Sequence, residues 1–374
     1  MGKGCDSTTI KGQINASRRK KVLFISALLA ILAVSSFVSM GVGAVMVPLS
    51  DVLRSVGHAL FPGNVSGPDP CYYSAIIVNY RIPRVLLAIL AGMSLAVAGV
   101  VMQGVLRNPL VSPFTLGLSS ASSFGAAFSL LVGPVLLGSM YYQHLYFMGN
   151  AITLGWILMI LLAFGSGLVS IMILLLLTRN RNISQSVLVL SGVVIGYLFQ
   201  AALSYLKYLS DDSNLREIVN WLMGGMWGAS WSAVIILIPI VMVTTILLEL
   251  CAVDLNGLAA GPEVARSLGI DVVRLRRYAL LISAFATSAC LAFTGIIGFI
   301  GLMAPHICRA VIGNDHRYLI PAAAVLGAII LMVSDAVSRV IQAPLEVPVG
   351  IIMYCIGGVF FIVLVTRMSG GYES

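Results

Sequence analysis

Long apolar runs, separated by short polar segments, make up most of this chain. Most runs reach or approach the roughly 20 residues that an α-helix needs to cross a bilayer. None shows the alternation of apolar and polar positions that membrane-spanning strands require, so only helices fit. The pattern predicts nine spans, at residues 22–47, 85–106, 118–138, 151–178, 186–207, 231–251, 278–299, 318–338 and 348–366.

A shorter apolar stretch at residues 303–312 predicts a tenth, half-length helix. Just before it, Gly295, Gly298 and Gly301 recur at every third position, and the dipeptide Pro305-His306 follows. This spacing indicates an interrupted helix. Because unpaired backbone groups are not tolerated in lipid, such an interruption must be packed against other protein.

The third and fourth predicted spans lie in one charge-free run and need a break between them. Gly133-Pro134 and the aromatic segment SMYYQHLYFMGN, residues 139–150, supply turn residues and interfacial aromatic side chains. We therefore expect the chain to reach the membrane surface there.

Basic residues set the orientation, because lysine and arginine are preferentially retained in the cytoplasm. With a cytoplasmic N-terminus and ten crossings, 16 of the 22 basic residues lie inside. The prediction is an all-α polytopic membrane protein with both termini cytoplasmic. One transmembrane domain, residues 22–368, lies between a basic tail, 1–21, and a C-terminal tail, 369–374. Six basic residues are left outside: Arg54, Arg81, Arg84, Lys207, Arg216 and Arg339.

Composition supports this class and limits the chemistry. Hydrophobic residues make up 59% of the chain and charged residues only 10%, too few for the surface of a soluble domain. The net charge of +8 follows from topology and contact with anionic lipid, not nucleic-acid binding. The six cysteines form no C-x-x-C pair, so no metal site is expected. No phosphate-binding G-x-x-x-x-G-K-[ST] loop occurs, and neither a catalytic group nor a cofactor is predicted.

One polar segment, LNGLAAGPEVARSLGIDVVRLRR at residues 255–277, is too short and too charged to span. Gly261 with Pro262 predicts a helix start, and Gly269 predicts its end. Val264 and Leu268 fall on one face, and Asp271 is expected to cap a second short helix carrying Arg274, Arg276 and Arg277. Two interpretations remain open: a docking elbow for a soluble partner, or a basic loop on the lipid headgroups.

Two further patterns invite a functional interpretation. Arg81 and Arg84, in RIPR, and Arg339, in SDAVSR, lie outside against the positive-inside rule. Arginine offers a rigid fork for carboxylates, although each of these side chains could instead extend to the headgroups. Gly192 and Gly196 form a G-x-x-x-G pattern, which is typical of close helix packing.

Several collinear segments resemble the permease subunits of binding-protein-dependent ABC importers for iron chelates and cobalamin. They cover most of the chain from about residue 80 to 368. The matching segments are RIPRVLLAILAGMSLAVAGVVMQGVLRNPLVSPFTLG, REIVNWLMGGMWG, GPEVARSLG, GIIGFIGLMAPHICRAVIGNDHRYLIPAAAVLGA, SDAVSR and PLEVPVGIIMYCIGG.

The resemblance implies a role for each pattern. The elbow would be the coupling helix that contacts a separate ATPase subunit, through Gly261, Glu263, Val264, Ala265, Arg266, Leu268 and Gly269. Arg81, Arg84 and Arg339 would pair with glutamates of an extracytoplasmic binding protein. The fifth span would line the pathway at a dimer axis, with Gln185 and Ser186 at its gate and Gly192 and Gly196 along it. The family usually has an acidic residue where this chain has Pro262, and threonine or serine where it has Gln185.

The same resemblance implies the partners and the cargo. Partners would be a second copy of the chain, two ATPase subunits that use the ATP, a substrate-binding protein and membrane lipid, all at the cytoplasmic membrane. Iron-siderophore would be the first cargo to expect, with cobalamin or haem next.

Two other classes make different demands on the sequence. An ion-coupled secondary transporter needs ionisable groups near the membrane midplane, whereas Glu249, Asp335 and Glu346 fall near span ends. A membrane-embedded enzyme needs a nucleophile and base, or paired metal ligands, at matched depth. No such set converges in the sequence.

Overall fold

The computed structural model describes residues 7–60, 73–147, 150–178 and 185–369. Its helices are α1 (Ser7–Gly41), α2 (Leu49–Leu60), α3 (Ser74–Ile76), α4 (Ile82–Leu106), α5 (Leu118–Leu137), α6 (Leu154–Leu177), α7 (Gln185–Leu209), α8 (Asp212–Met223), α9 (Trp231–Leu250), α10 (Ala252–Ala259), α11 (Pro262–Ser267), α12 (Val272–Thr294), α13 (Ile300–Ile312), α14 (His316–Ser338) and α15 (Val349–Ser369). A π-helical segment, Ile77–Arg81, joins α3 to α4. The only strands in this part of the chain are β1 (His144–Phe147) and β2 (Asn150–Thr153).

Nine of the described helices are long and apolar enough to cross a membrane, and they coincide with the nine predicted spans. The short helix α13 confirms the half-length tenth element. The all-α polytopic fold is therefore confirmed. The predicted basic tail differs, because α1 already begins at Ser7 and includes Arg18 to Lys21 in the same helix. Lys3, Arg179, Arg181 and residues 370–374 lie outside the described residues.

Three elements were not expected from hydropathy. Helices α2 and α8 are amphipathic and only 12 residues long, so neither stands out in an apolar profile. The aromatic segment forms an antiparallel hairpin of β1 and β2. Helix α5 also continues through Pro134 and ends at Gly138, where φ is +54°. The helix thus ends where the predicted span 118–138 ends, between Gly133-Pro134 and the aromatic segment.

The core of the bundle is α4, packed between α14 and α12. In the most apolar window of the span containing α4, 83% of residues are buried, against 11% for α1 at the periphery. Gly92 on α4 faces Gly327 on α14 so closely that a Cβ on either would overlap the other's backbone. Small residues at this crossing let two helices approach, which is a main source of helix association in membranes.

The glycine-rich interruption between α12 and α13 is buried in the bundle. Residues 295–299 are not helical, and Gly295 and Phe299 both have positive φ. Gly301 packs against Gly99, in the middle of α4, and its carbonyl oxygen accepts a hydrogen bond from Gln103 Nε2 at 2.9 Å. Helix α13 therefore starts halfway along the bundle and is covered by protein, as broken backbone within a membrane requires.

The bundle has two ends, which we name by their residues. The elbow end carries α10, α11 and Asp315, which lies 3.5 Å from Lys21 of α1. The far end carries Arg81, Arg84 and Arg339, where Arg339 donates to the carbonyl oxygen of Val42 just beyond α1. Helices α1, α4 and α14 each run from one end to the other.

Candidate functional site

The elbow is a pair of short helices, α10 and α11, joined at Gly261. The φ of Gly261 is +128°, a conformation open to glycine, and Pro262 starts α11. Ala265 is fully buried against the bundle, whereas the side chains of Val264 and Leu268 are 46% and 65% exposed. Exposed Glu263 and Arg266 flank them, and Gly269, with φ of +81°, ends the elbow. The elbow thus presents an apolar tip with a charged edge to the outside.

The elbow passes directly into a transmembrane helix. The side chain of Asp271 accepts a hydrogen bond from the Arg274 amide at 3.0 Å and caps α12. The expected second short helix does not exist, because no helix breaker occurs between the cap and Thr294. Arg274, Arg276 and Arg277 instead form the first turns of α12. The elbow is therefore connected, within four residues of the end of α11, to a 23-residue helix in the core.

On its other side the elbow is bound to the start of α14. Asn256 Nδ2 of α10 donates to Asp315 Oδ1 at 2.8 Å, and Asn256 Oδ1 accepts from the His316 backbone amide at 2.9 Å. Arg317 also donates to the Asp315 carboxylate, at 2.9 Å. These hydrogen bonds, that of Arg317 above all, hold the pKa of Asp315 far below its usual range. Sequence reasoning missed this contact because its partners are distant in the chain.

The predicted gate residue Gln185 is in contact with α12. With its amide oriented to suit both neighbours, Gln185 donates to the Leu106 carbonyl at 3.2 Å and accepts from Arg276 Nη2 at 3.0 Å. The first residue of α7 is thereby linked to the end of α4 and to the helix that follows the elbow. Ser186, the next residue, is exposed. No sequence signal identified Arg276 as a partner of the gate.

Gly192 and Gly196 lie on the face of α7 that packs against the chain itself. A Cβ on Gly117 would lie 2.9 Å from the Gly192 carbonyl oxygen and 2.9 Å from the Gly196 nitrogen, so both glycines pack on the turn before α5. Close helix packing accounts for both glycines, and a further role along a pathway stays a prediction. The opposite face of α7 carries exposed Leu190, Val194 and Tyr197, and this face has no partner among the described residues.

At the far end, Arg84 makes a buried ion-pair cluster. Its Nη2 lies 2.9 Å from Asp335 Oδ1, and its Nη1 lies 2.8 Å from Glu346 Oε2. Asp335 is 1% exposed and also pairs with Arg339 at 3.2 Å. In the sequence, both carboxylates are distinguished only by their position near span ends. The D-x-x-x-R spacing of Asp335 and Arg339 was the available signal for their pairing.

Arg81 and Arg339 are bound to the last residues of α1 and to the segment that follows it. Arg81 donates to the carbonyls of Met40 and Val45, and Arg339 donates to Val42 and to Ser39 Oγ at 2.8 Å. Their exposed fractions are only 7% and 4%, so both side chains are satisfied mainly within the chain. A guanidinium that leaves water must satisfy its five donors, and the backbone of residues 39–45 supplies the acceptors. Whether these arginines contact a partner stays a prediction.

The remaining titratable groups do not converge. In the described residues no group of three or more His, Cys, Asp or Glu side chains is placed to hold a metal ion. The His306 ring lies against Phe360, with centroids 6.0 Å apart. Asp335 and Glu346 lie at the far end and Glu249 at the elbow end, so these three carboxylates do not meet at the middle of the bundle.

The chain is similar to known proteins both in sequence and in fold. A family model described as the FecCD transport family matches residues 31–367. The Fe(3+)-citrate import system permease protein YfmE of Bacillus subtilis is 34% identical over 93% of this chain and 96% of its own length. The hemin transport system permease protein HmuU of Yersinia pestis is 38% identical over 81% and 86%.

The fold has a close counterpart among solved structures. It is described as an inward-facing ABC transporter assigned to the metal-chelate type, with a TM-score of 0.75 and 27% sequence identity. The match covers 92% of this chain and 98% of that chain. The agreement extends over the whole bundle.

Proposed function

The chain belongs to the FecCD transport family, and from this premise we propose that it imports an iron chelate, with haem and cobalamin as the next cargoes to test. As a member, it is a multi-pass permease subunit of an ABC importer. A substrate-binding protein would deliver the cargo to the far end, and ATPase subunits would act at the elbow end in the cytoplasm.

The observation that carries the proposal is the construction of the elbow. Its apolar tip, Val264 and Leu268, is exposed, while Ala265 fixes it to the bundle and Asp271 joins it to α12. Apolar side chains at the tip of a polar loop suit a groove on a soluble subunit better than a headgroup layer. A push on this tip would move α12, and with it Arg276 and its partner Gln185.

The pathway is proposed to run between two copies of the chain, along the exposed face of α7. Leu190, Val194 and Tyr197 form that face, and Ser186 lies at its elbow end. Gln185 joins this end to α12 through Arg276. The gate would therefore open when α12 shifts, because the two helices share a hydrogen bond.

The cargo is inferred from the relatives. Permeases named for ferric citrate and for hemin are 34% and 38% identical to this chain. An iron chelate is therefore placed first. Uptake of ⁵⁵Fe-chelates, haem and cobalamin by cells carrying the full system, each in competition with the others, separates the three.

The coupling role is tested by placing charge on the elbow tip. The double substitution Val264→Asp and Leu268→Asp should release a tagged ATPase subunit during purification, since two carboxylates would be buried without partners. The matched control is Ile341→Asp with Leu345→Asp, two exposed apolar residues at the far end. Full ATPase retention by the elbow variant, with a normal gel-filtration profile, would refute the coupling role.

A further inference from the structure

A lateral groove crosses the membrane-facing surface between α6 and α9, with α12 as its floor. Its half nearer the elbow is a cavity of about 410 Å³, with Met172 of α6 and Leu247 of α9 in its walls and Phe285 of α12 in its floor. A second cavity of about 270 Å³ continues it toward the far end. The groove is therefore open to the hydrocarbon along the spans that form it.

The lining of the elbow half offers no free polar group. Thr244 is its one polar residue, and the Thr244 hydroxyl donates to the Ile240 carbonyl of its own helix at 2.7 Å. Every other residue of that lining is apolar. Only an apolar chain can fill such a space without a desolvation cost.

The floor of the groove leads to two arginines. Along α12 the exposed side follows a helical stripe from Phe285 through Leu281 to Tyr278, and then to Arg277 and Arg274. Arg277 has no carboxylate within ion-pair distance in the described part of the chain, and the Arg274 contact with Asp271 is long, at 3.6 Å, and exposed. Both guanidinium groups are thus available at the level where the apolar groove ends.

We infer that this groove binds an anionic phospholipid, with one acyl chain in the elbow half and the headgroup phosphate on Arg274 and Arg277. Arginine forks match phosphate oxygens, and Tyr278 lies between chain and headgroup, where amphipathic rings are favoured. A soluble acidic protein would meet the arginines but could not fill an apolar groove facing lipid. The site goes beyond the proposed transport function and does not depend on the cargo.

A lipid in this position would bear on coupling. It would contact the first turns of α12, the same turns that carry Asp271 and Arg276 and follow the elbow directly. The composition of the leaflet at the elbow end would then influence how freely α12 moves.

The test is native mass spectrometry of the purified permease, titrated in detergent with phosphatidylglycerol or phosphatidylcholine. Wild type should retain phosphatidylglycerol more tightly than phosphatidylcholine. Each basic residue near an anionic headgroup contributes roughly fivefold in affinity. Arg274→Gln with Arg277→Gln should therefore weaken phosphatidylglycerol retention by roughly thirtyfold. The matched control, Arg18→Gln with Arg19→Gln, removes the same charge from the exposed start of α1.

A second variant tests the acyl-chain seat with the arginines intact. Leu281→Trp fills the floor of the groove and should also weaken phosphatidylglycerol retention. If the Leu281→Trp protein is not monodisperse, Leu247→Trp, which fills the groove from its wall, is measured in its place. Free glycerol 3-phosphate should not displace the lipid. The inference would be overturned if wild type retained both lipids equally, or if the control pair lost as much phosphatidylglycerol as the Arg274 and Arg277 variant. It would also be overturned if the groove-filling variant bound phosphatidylglycerol like wild type, or if glycerol 3-phosphate displaced the lipid.

Discussion

Arg84 and Asp335 are 251 positions apart in the sequence, yet they meet through a 2.9 Å hydrogen bond between Nη2 and Oδ1. The pair joins α4, the most buried helix, to α14 at the far end of the bundle. Because Asp335 is nearly inaccessible, its charge must be matched by Arg84 and Arg339 within the protein. The far end is thus held by ion pairs as well as by apolar packing.

Removing the buried carboxylate should destabilise the protein strongly. Breaking one side of a buried ion pair typically costs about 3–5 kcal/mol, so Asp335→Asn should lower the thermal unfolding temperature in detergent markedly. Glu346→Gln should have a smaller effect, because Glu346 is more exposed than Asp335. Equal unfolding temperatures for Asp335→Asn and wild type would show that the cluster does not stabilise the far end.

Arg84 Nη1 also donates a hydrogen bond to the carboxylate of Glu346, which is the more exposed of its two acidic partners. If Arg84 contacts a carboxylate of the binding protein, then Glu346→Gln should make the Arg84 guanidinium available to that carboxylate. The binding protein should then associate with the permease several-fold more tightly. The measurement is the dissociation constant of the purified binding protein for the permease complex in nanodiscs. An unchanged constant would indicate that Arg84 serves only the intrachain cluster.

The crossing of α4 and α13 should not tolerate a methyl group. A Cβ on Gly99 would overlap the Gly301 carbonyl, whereas a Cβ on Gly165 of α6 meets nothing within 4 Å. Overpacking typically costs about 1–3 kcal/mol, so Gly99→Ala should lower the unfolding temperature and Gly165→Ala should not. Equal unfolding temperatures for the two variants would mean that α13 does not pack closely against α4 at Gly99.

A cysteine at Ser186 should form a disulfide with its symmetry mate if α7 lies at the dimer axis. Leu188→Cys is the control, because residue 188 is only 7% exposed and faces the chain's own core. Oxidative cross-linking is compared with the parent protein, which carries its native cysteines. A dimer that is intact by gel filtration but forms no Ser186→Cys cross-link in any nucleotide state would place α7 elsewhere.

The Asp315 cluster should make stability depend on pH. A carboxylate whose pKa is lowered on folding stabilises the fold above its unfolded pKa, near 4, and this contribution is lost as the pH falls toward the folded pKa. The unfolding temperature of wild type should exceed that of Asp315→Asn at pH 7, and the difference should shrink between pH 5 and pH 3. A constant difference over that range would contradict the assignment.

Much of the architecture was predictable because it depends on local signals. Spans follow from runs of apolar residues, and the turn at Gly261 and the helix end at Gly269 follow from glycines that accept positive φ. The cap at Asp271 was also correct, since a cap depends only on the next few residues. Where local signals were weak, as in the 12-residue amphipathic helices α2 and α8, the prediction failed.

The sequence alone determined the nine long apolar helices and the polar segment between α9 and α12, because both follow from the hydrophobicity of neighbouring residues. Only the tertiary structure decided what the polar residues do. Arg81 and Arg339, predicted as docking residues, are buried, and Gln185 contacts Arg276. Each of these contacts depends on a partner brought close by helix packing. The same packing turned Gly192 and Gly196 inward, since a helix pattern shows which residues share a face but not what that face meets.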